Sequence, residues 1–261
     1  MNEARSPQWA IALGGALLVL LVLPVATLVL TSSPAEVARG LAHPMTRTAI
    51  ALSLRTTLLT LLILVLLGTP LALWLARARG RAKAWLQAAV ELPIVLPPAV
   101  LGLALLMSFG RAGVFGRLLD TLGIALPFST AAVIIAQLIV SAPFYVQTAR
   151  VGFEAVDENL VLVARSLGAS SFGAFRRITL PLASSAILTG AALAWARALG
   201  EFGATLLFAG SLAGRTQTLP LAIYGALEAD ISAARAIALV LCGIAFVLLV
   251  LLRMFAATGA R

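Results

Sequence analysis

Charge is scarce in this chain, and so are the residues that most chemistry needs. Only 11% of its 261 residues are charged, whereas a soluble domain carries about 25%. There is one cysteine, Cys242, so no disulfide framework forms within the chain. His43 is the only histidine, and with Cys242 it cannot make a self-contained metal site. The only lysine, Lys83, stands between Ala82 and Ala84. A G-x-x-x-x-G-K-[ST] phosphate loop is therefore absent, and this chain is not itself an ATPase of that type.

Apolar surface is abundant instead. The chain is 61% hydrophobic with a mean hydropathy of +1.06. No soluble core uses this much apolar surface, so lipid must be the solvent. A span needs about 20 apolar residues. Six segments qualify: Trp9–Leu30, Ala49–Ala76, Trp85–Phe109, Thr130–Ala149, Leu182–Phe208 and Ala233–Leu252. The first exceeds the roughly 7–15 apolar residues of a signal peptide, so an uncleaved helix is expected.

The basic residues set the topology. With both termini in the cytoplasm, the inside segments hold Arg5, the Arg77–Lys83 cluster, Arg150, Arg165, Arg176, Arg177, Arg253 and Arg261. The outside segments hold only Arg39, Arg47, Arg111, Arg117 and Arg215. The net charge of +9 is thus mostly topogenic. These residues flank spans and form no single basic face, which argues against nucleic-acid binding. Pro24 and Pro70 fall inside the first two spans, and Pro97-Pro98 inside the third. Each frees a carbonyl that a kinked, protein-buried helix must satisfy. Such a kink either serves packing or shapes a path through the membrane.

Between the fourth and fifth spans lies a polar loop of residues 150–181. Asp157 is placed to cap a helix from Glu158, along which Leu160, Val163, Ala164 and Leu167 recur at helical spacing. Gly168 supplies a stop. Ser170 or Ser171 caps a second, very short helix bearing Phe172, Phe175, Arg176 and Arg177, and Pro181 closes the loop. So short a helix is unstable alone in water. Its phenylalanines enter a groove on a partner or lie against the chain's own helices.

Spacing gives this loop a resemblance. Gly168 is followed by nine residues and then Ile178-Thr179-Leu180-Pro181, with Ala164 at the end of a triplet three residues earlier. This resembles the E-A-A, three residues, G, nine residues, I-x-L-P signature of binding-protein-dependent ABC importer permeases. Leu162 and Val163 depart from it at the first two positions. The resemblance implies that Ser170–Arg177 is a coupling helix entering a cleft of an ATP-hydrolysing subunit. It further implies two permease copies with two ATPase subunits, ATP and Mg²⁺ being bound by the ATPase chain.

A second resemblance covers more of the chain. Trp195-Ala-Arg197-Ala-Leu-Gly200-Glu201-Phe-Gly203-Ala-Thr205, Leu96-Pro97-Pro98-Ala-Val-Leu-Gly102 and Arg215-Thr-Gln-Thr218-Leu-Pro220-Leu-Ala-Ile-Tyr224 are similar to segments of molybdate permeases. Sulfate and thiosulfate permeases share the Gly-Glu-aromatic-Gly element and differ after it and at the proline pair. The resemblance thus favours molybdate or tungstate. Arg197 and Glu201 lie four apart, on one face of a continuous helix. Intramembrane ions are costly and mark function by default. Here they either line the path, with Gly200, Gly203, Pro97 and Pro98, or form a packing pair. Arg215, Thr218 and Tyr224 are expected to face an external substrate-binding protein.

Other classes fit less well. Gly168-Ala-Ser-Ser-Phe172 fails the G-x-S-x-G pattern of a hydrolase and lies in a loop. A secondary transporter would show repeated halves, and the first and last three spans show no such similarity. The expectation is an all-α polytopic membrane protein of about six transmembrane helices, like a type I ABC importer permease. It is a single domain over residues 1–261 in the inner (cytoplasmic) membrane, non-catalytic and homodimeric.

Overall fold

The computed structural model describes residues 8–258. Every regular element among them is helical. Helix α1 (Gln8–Leu30) is followed by a short α2 (Pro34–Ala42) and a long α3 (Pro44–Arg77). Then come α4 (Arg81–Val95), α5 (Pro98–Phe109), the small α6 (Gly116–Thr121) and α7 (Thr130–Glu154). The loop contributes α8 (Glu158–Ser166) and α9 (Ser171–Ala174), a wide π-type turn over Phe175–Thr179, and α10 (Leu180–Leu182). Helices α11 (Ser184–Leu199), α12 (Gly203–Ala209), α13 (Leu219–Ala229) and α14 (Ile231–Thr258) complete the chain.

Helices α1, α3, α7 and α14 are each long and apolar enough to cross a bilayer unaided. Two bent pairs raise the number of spans to as many as six. The third expected span is one of those pairs. Helices α4 and α5 meet at 112° around Leu96-Pro97, so Trp85–Phe109 is no straight rod. Pro97 precedes α5 in extended backbone and Pro98 opens it, where a missing N–H costs nothing. By contrast α1 and α3 run on through Pro24 and Pro70. Pro181 likewise lies within helix, and the chain turns by 70° only afterwards, at Ala183. The expected fifth span, Leu182–Phe208, is divided between α11 and α12.

Helix α7 is central, packed along both α3 and α11. One core joins Leu64, Ala72 and Leu75 of α3 to Tyr145, Val146 and Ala149 of α7 and Ala194 of α11. A second joins α5, α7 and α12 through Leu101, Ala132, Ala136, Ala204 and Phe208. A third seats α13 on α3 and α14 through Ala49, Leu219, Ala222 and Ile237. Lipid is as apolar as these side chains, so close backbone approach and buried hydrogen bonds must hold the helices together. Alanine and glycine permit the approach. A Cβ on Gly102 would lie 2.9 Å from the Ala204 carbonyl oxygen and 2.9 Å from the Leu207 Cβ. Buried hydroxyls supply the bonds. Thr60 Oγ1 donates to Gln137 Oε1 at 3.1 Å, and Trp195 Nε1 donates to Thr57 Oγ1 at 3.0 Å.

The two ends of the bundle differ. At one end Lys83 Nζ lies 2.7 Å from Glu154 Oε1, joining the basic 77–83 segment to the start of the 150–181 loop. At the other, Arg235 pairs with Glu36 and donates to the Thr31 carbonyl, joining α2 and α14.

Gly102→Val is expected to push α5 off α12 and to destabilise the fold by about 1–3 kcal/mol. Gly14→Ala, with open space around the new methyl, serves as the comparison. Thermal melting of the two detergent-solubilised variants measures this.

Candidate functional site

Two regions concentrate chemistry, one in the break of the fifth span and one in the loop. Helix α11 stops at Leu199, and Gly200-Glu201-Phe202 forms the break before α12. The Glu201 carboxylate fills it. Its Oε2 lies 2.9 Å from the Arg197 guanidinium, and its Oε1 accepts the Ala204 N–H at 2.8 Å. Glu201 is 1% exposed. The expected Arg197–Glu201 pair is therefore present, though not on a continuous helix face. Glu201 lies beyond the helix end, and it also caps the next helix. A carboxylate at a helix N-terminus is doubly favoured, by the free N–H and by the dipole.

The break rests on the bent α4/α5 pair. A Cβ on Gly203 would lie 2.8 Å from Pro98 Cβ. The proline pair and the Gly-Glu-Phe-Gly element, a hundred residues apart in the chain, thus meet back to back. Pro97, Pro98 and Gly200 stay exposed there, and Arg197 is partly exposed. Phe202 turns outward onto Tyr224 of α13, with ring centroids 5.4 Å apart. Among the expected outer residues, Arg215 is exposed and its carbonyl accepts from Thr130 Oγ1 at 2.8 Å. Tyr224 is half-exposed, whereas Thr218 is buried as the N-cap of α13. The Ser53 hydroxyl, which the sequence pattern did not single out, accepts the Leu219 N–H at 2.7 Å and pins that helix to α3.

In the loop, Asp157 caps α8 by accepting the Asn159 N–H at 2.9 Å. Gly168 follows α8 at φ +89°, a left-handed conformation that admits glycine freely. Ser170 then caps α9, accepting the Gly173 N–H at 3.0 Å. Ser171 opens that helix. The two phenylalanines part company. Phe175 turns inward onto Phe153 of α7, with centroids 6.3 Å apart, and joins the first core. Phe172 stays 71% exposed. Arg176, Arg177 and Pro181 are also exposed, while Ala164, Ile178 and Leu180 are half-buried against the bundle. Leu160, Val163 and Leu167 of the α8 segment are exposed too, Leu167 at 84%. They extend the apolar surface around Phe172. Their helical spacing was visible in the sequence, but its outward direction was not. An exposed apolar patch generally marks protein or membrane contact.

These features define a polytopic permease-type membrane protein with exposed apolar side chains on a surface loop. The chain belongs to the family of binding-protein-dependent transport system inner membrane components, whose sequence model matches residues 68–258. It is 46% identical over 202 residues to a molybdenum transport system permease protein of Mycobacterium tuberculosis, covering 77% of this chain and 76% of that one. It is 43% identical over 234 residues to a probable molybdenum ABC transporter permease protein of Haloferax volcanii, covering 89% and 84%. Among solved structures, a bacterial alginate ABC transporter in complex with its periplasmic protein matches with TM-score 0.79 at 17% identity, covering 97% of this chain and 95% of that one. That likeness is one of fold: the chain folds as a type I ABC importer permease.

Glu201→Ala strips both Arg197 and the Ala204 N–H of their partner. Breaking a buried pair in this way is expected to cost about 3 kcal/mol. Glu201→Gln, which keeps an acceptor for Ala204, is expected to cost less. The double variant Arg197→Ala/Glu201→Ala should cost less than the sum of the single changes. Melting midpoints of the four proteins measure the coupling.

Proposed function

We propose that this chain is the transmembrane permease of an ATP-driven importer for molybdate or tungstate. The observation that carries this is the 43–46% identity to permeases named for molybdenum transport, over most of the chain. The permease works as a homodimer in the inner membrane, with both termini cytoplasmic. Two ATPase subunits, which bind ATP and Mg²⁺, dock on the Gly168 loop. A substrate-binding protein delivers the anion to the outer face around Arg215 and Tyr224, above the buried Thr218.

The geometry fits this cycle. Arg197 is partly exposed within a span, and an arginine does not face hydrocarbon cheaply. A second copy packed against Pro97, Pro98, Gly200 and Gly203 covers it and creates the path between the two chains. Pairing with Glu201 tempers the guanidinium, so a dianion is attracted without being trapped. Loop movement reaches this point through α11, which runs from the Ala183 bend to the Gly200 break. Phe172 is the anchor for the ATPase cleft, and Ser170, Ser171, Arg176 and Arg177 form its polar surround. Phe175, Ala164, Ile178 and Leu180 hold the loop on its own spans, and Pro181 closes it.

Reconstitution with a cognate ATPase and binding protein tests the proposal through substrate-stimulated ATP hydrolysis. Molybdate and tungstate should stimulate, and sulfate should not. Stimulation by sulfate alone would move the assignment to a sulfate permease. Transport without any ATPase would indicate a secondary transporter. Phe172→Ala removes one aromatic anchor, worth about 2 kcal/mol or more in an interface. That is roughly a thirty-fold loss of ATPase-subunit affinity, with the melting midpoint of the permease unchanged.

A further inference from the structure

Between the loop and the span ends lies a cavity of about 360 Å³ to which the proposed transport function assigns no part. Arg77 at the end of α3, Lys83 of α4, Glu154 ending α7, and Glu158 and Arg165 of α8 line it, together with Thr179. Thr179 is 2% exposed, and its hydroxyl has no hydrogen-bond partner. Several helical threonines elsewhere in the chain satisfy themselves, although Thr205 of α12 is likewise without a partner. Thr57, Thr69, Thr148 and Thr189 each donate to the carbonyl four residues back. Thr179 ends the wide turn Phe175–Thr179, where the Phe175 carbonyl is taken by the Leu180 N–H instead. Interruptions of this kind recur at functional sites, and a buried hydroxyl left without a partner calls for a ligand or water.

The charges around it point to the sign of that ligand. Glu154 is held by Lys83 at 2.7 Å and also by Arg150 at 2.8 Å, from outside the cavity. Glu158 has Arg79 at 4.0 Å, again from outside. Among the described residues, Arg77 and Arg165 have no carboxylate within ion-pair distance. Two guanidiniums from different segments therefore line the same cavity as an unsatisfied hydroxyl donor, while Glu154 is already paired and Glu158 faces solvent with Arg79. Guanidiniums and a hydroxyl together suit a tetrahedral oxyanion with several acceptor oxygens.

We propose that this cavity binds a phosphate-type oxyanion, free phosphate or a lipid headgroup's. The bound anion ties Arg165 of the loop to Arg77 at the end of α3. It thereby sets how freely the Gly168 loop moves against the spans. Both sources have access, because the cavity lies where the spans end. The inference does not depend on which anion the chain carries across the membrane.

The full chain in lipid nanodiscs tests it. In phosphatidylcholine discs, inorganic phosphate is titrated against chloride at matched ionic strength, and the melting midpoint is read. In mixed phosphatidylcholine–phosphatidylglycerol discs, lipid retained after extraction is read by native mass spectrometry. A phosphate-dependent rise in the first arm identifies free anion, and retained phosphatidylglycerol in the second identifies a headgroup. In either case the affinity or retention should fall about tenfold in Arg77→Gln/Arg165→Gln. It should also fall in Thr179→Val and not in Thr179→Ser, a pair that still decides the matter if the double variant misfolds. Arg111→Gln, at the opposite end of the bundle, should leave it unchanged. No response in either arm, or equal responses from Thr179→Val and the parent chain, would overturn the proposal.

Discussion

A helix broken inside lipid exposes N–H and carbonyl groups that hydrocarbon cannot satisfy. The fifth span is broken at Gly200-Glu201-Phe202, and one buried carboxylate makes that break tolerable. One oxygen of Glu201 takes the guanidinium of the helix before it, and the other takes a free N–H of the helix after it. The rest of the interior is arranged around this joint. Gly203 lets Pro98 press against it, and Gly102 lets α5 lie on the backbone of Ala204. Phe202 packs on Tyr224 of α13.

The same helix connects the joint to the loop. Helix α11 begins at the Ala183 bend, and the loop is held there by Phe175 on Phe153 and by Lys83 on Glu154. Those contacts divide the loop into a face that belongs to the bundle and a face left over. Phe172 and Leu167 lie on the second face. A rigid mounting with an apolar outer surface is what the proposed ATPase docking would require. The other end of the bundle is built on the same plan. Ser53 fixes the start of α13 by accepting the Leu219 N–H, and Tyr224 lies half-exposed on its surface against Phe202.

Much of this was legible in the chain itself. Hydropathy and length set the lipid environment and the apolar segments, since about 20 residues must cover a fixed thickness. The α1 and α7 starts fell where expected, and Asp157, Gly168 and Ser170 play their local parts in the loop. Capping and left-handed turns depend on a few neighbouring residues, so they can be read from the chain alone. The family, too, followed from loop spacing and the Gly-Glu-Phe-Gly element.

What depended on distant neighbours was not legible. Proline sites looked alike in the sequence, yet Pro24 and Pro70 pass within continuous helices while Pro97-Pro98 turns the chain by 112°. The difference lies in what receives the freed backbone, and that is supplied by other helices. A spacing of four suggested that Arg197 and Glu201 share a helix face. They do pair, but across a break whose carboxylate also answers to Ala204. Phe172 and Phe175 were equivalent by composition and spacing, and only the position of Phe153 on α7 decided which ring turned inward. Local rules thus determined the helices and caps of this protein. Its bends, its buried ion and its outward face were decided by packing, because each needs a partner that the sequence places far away.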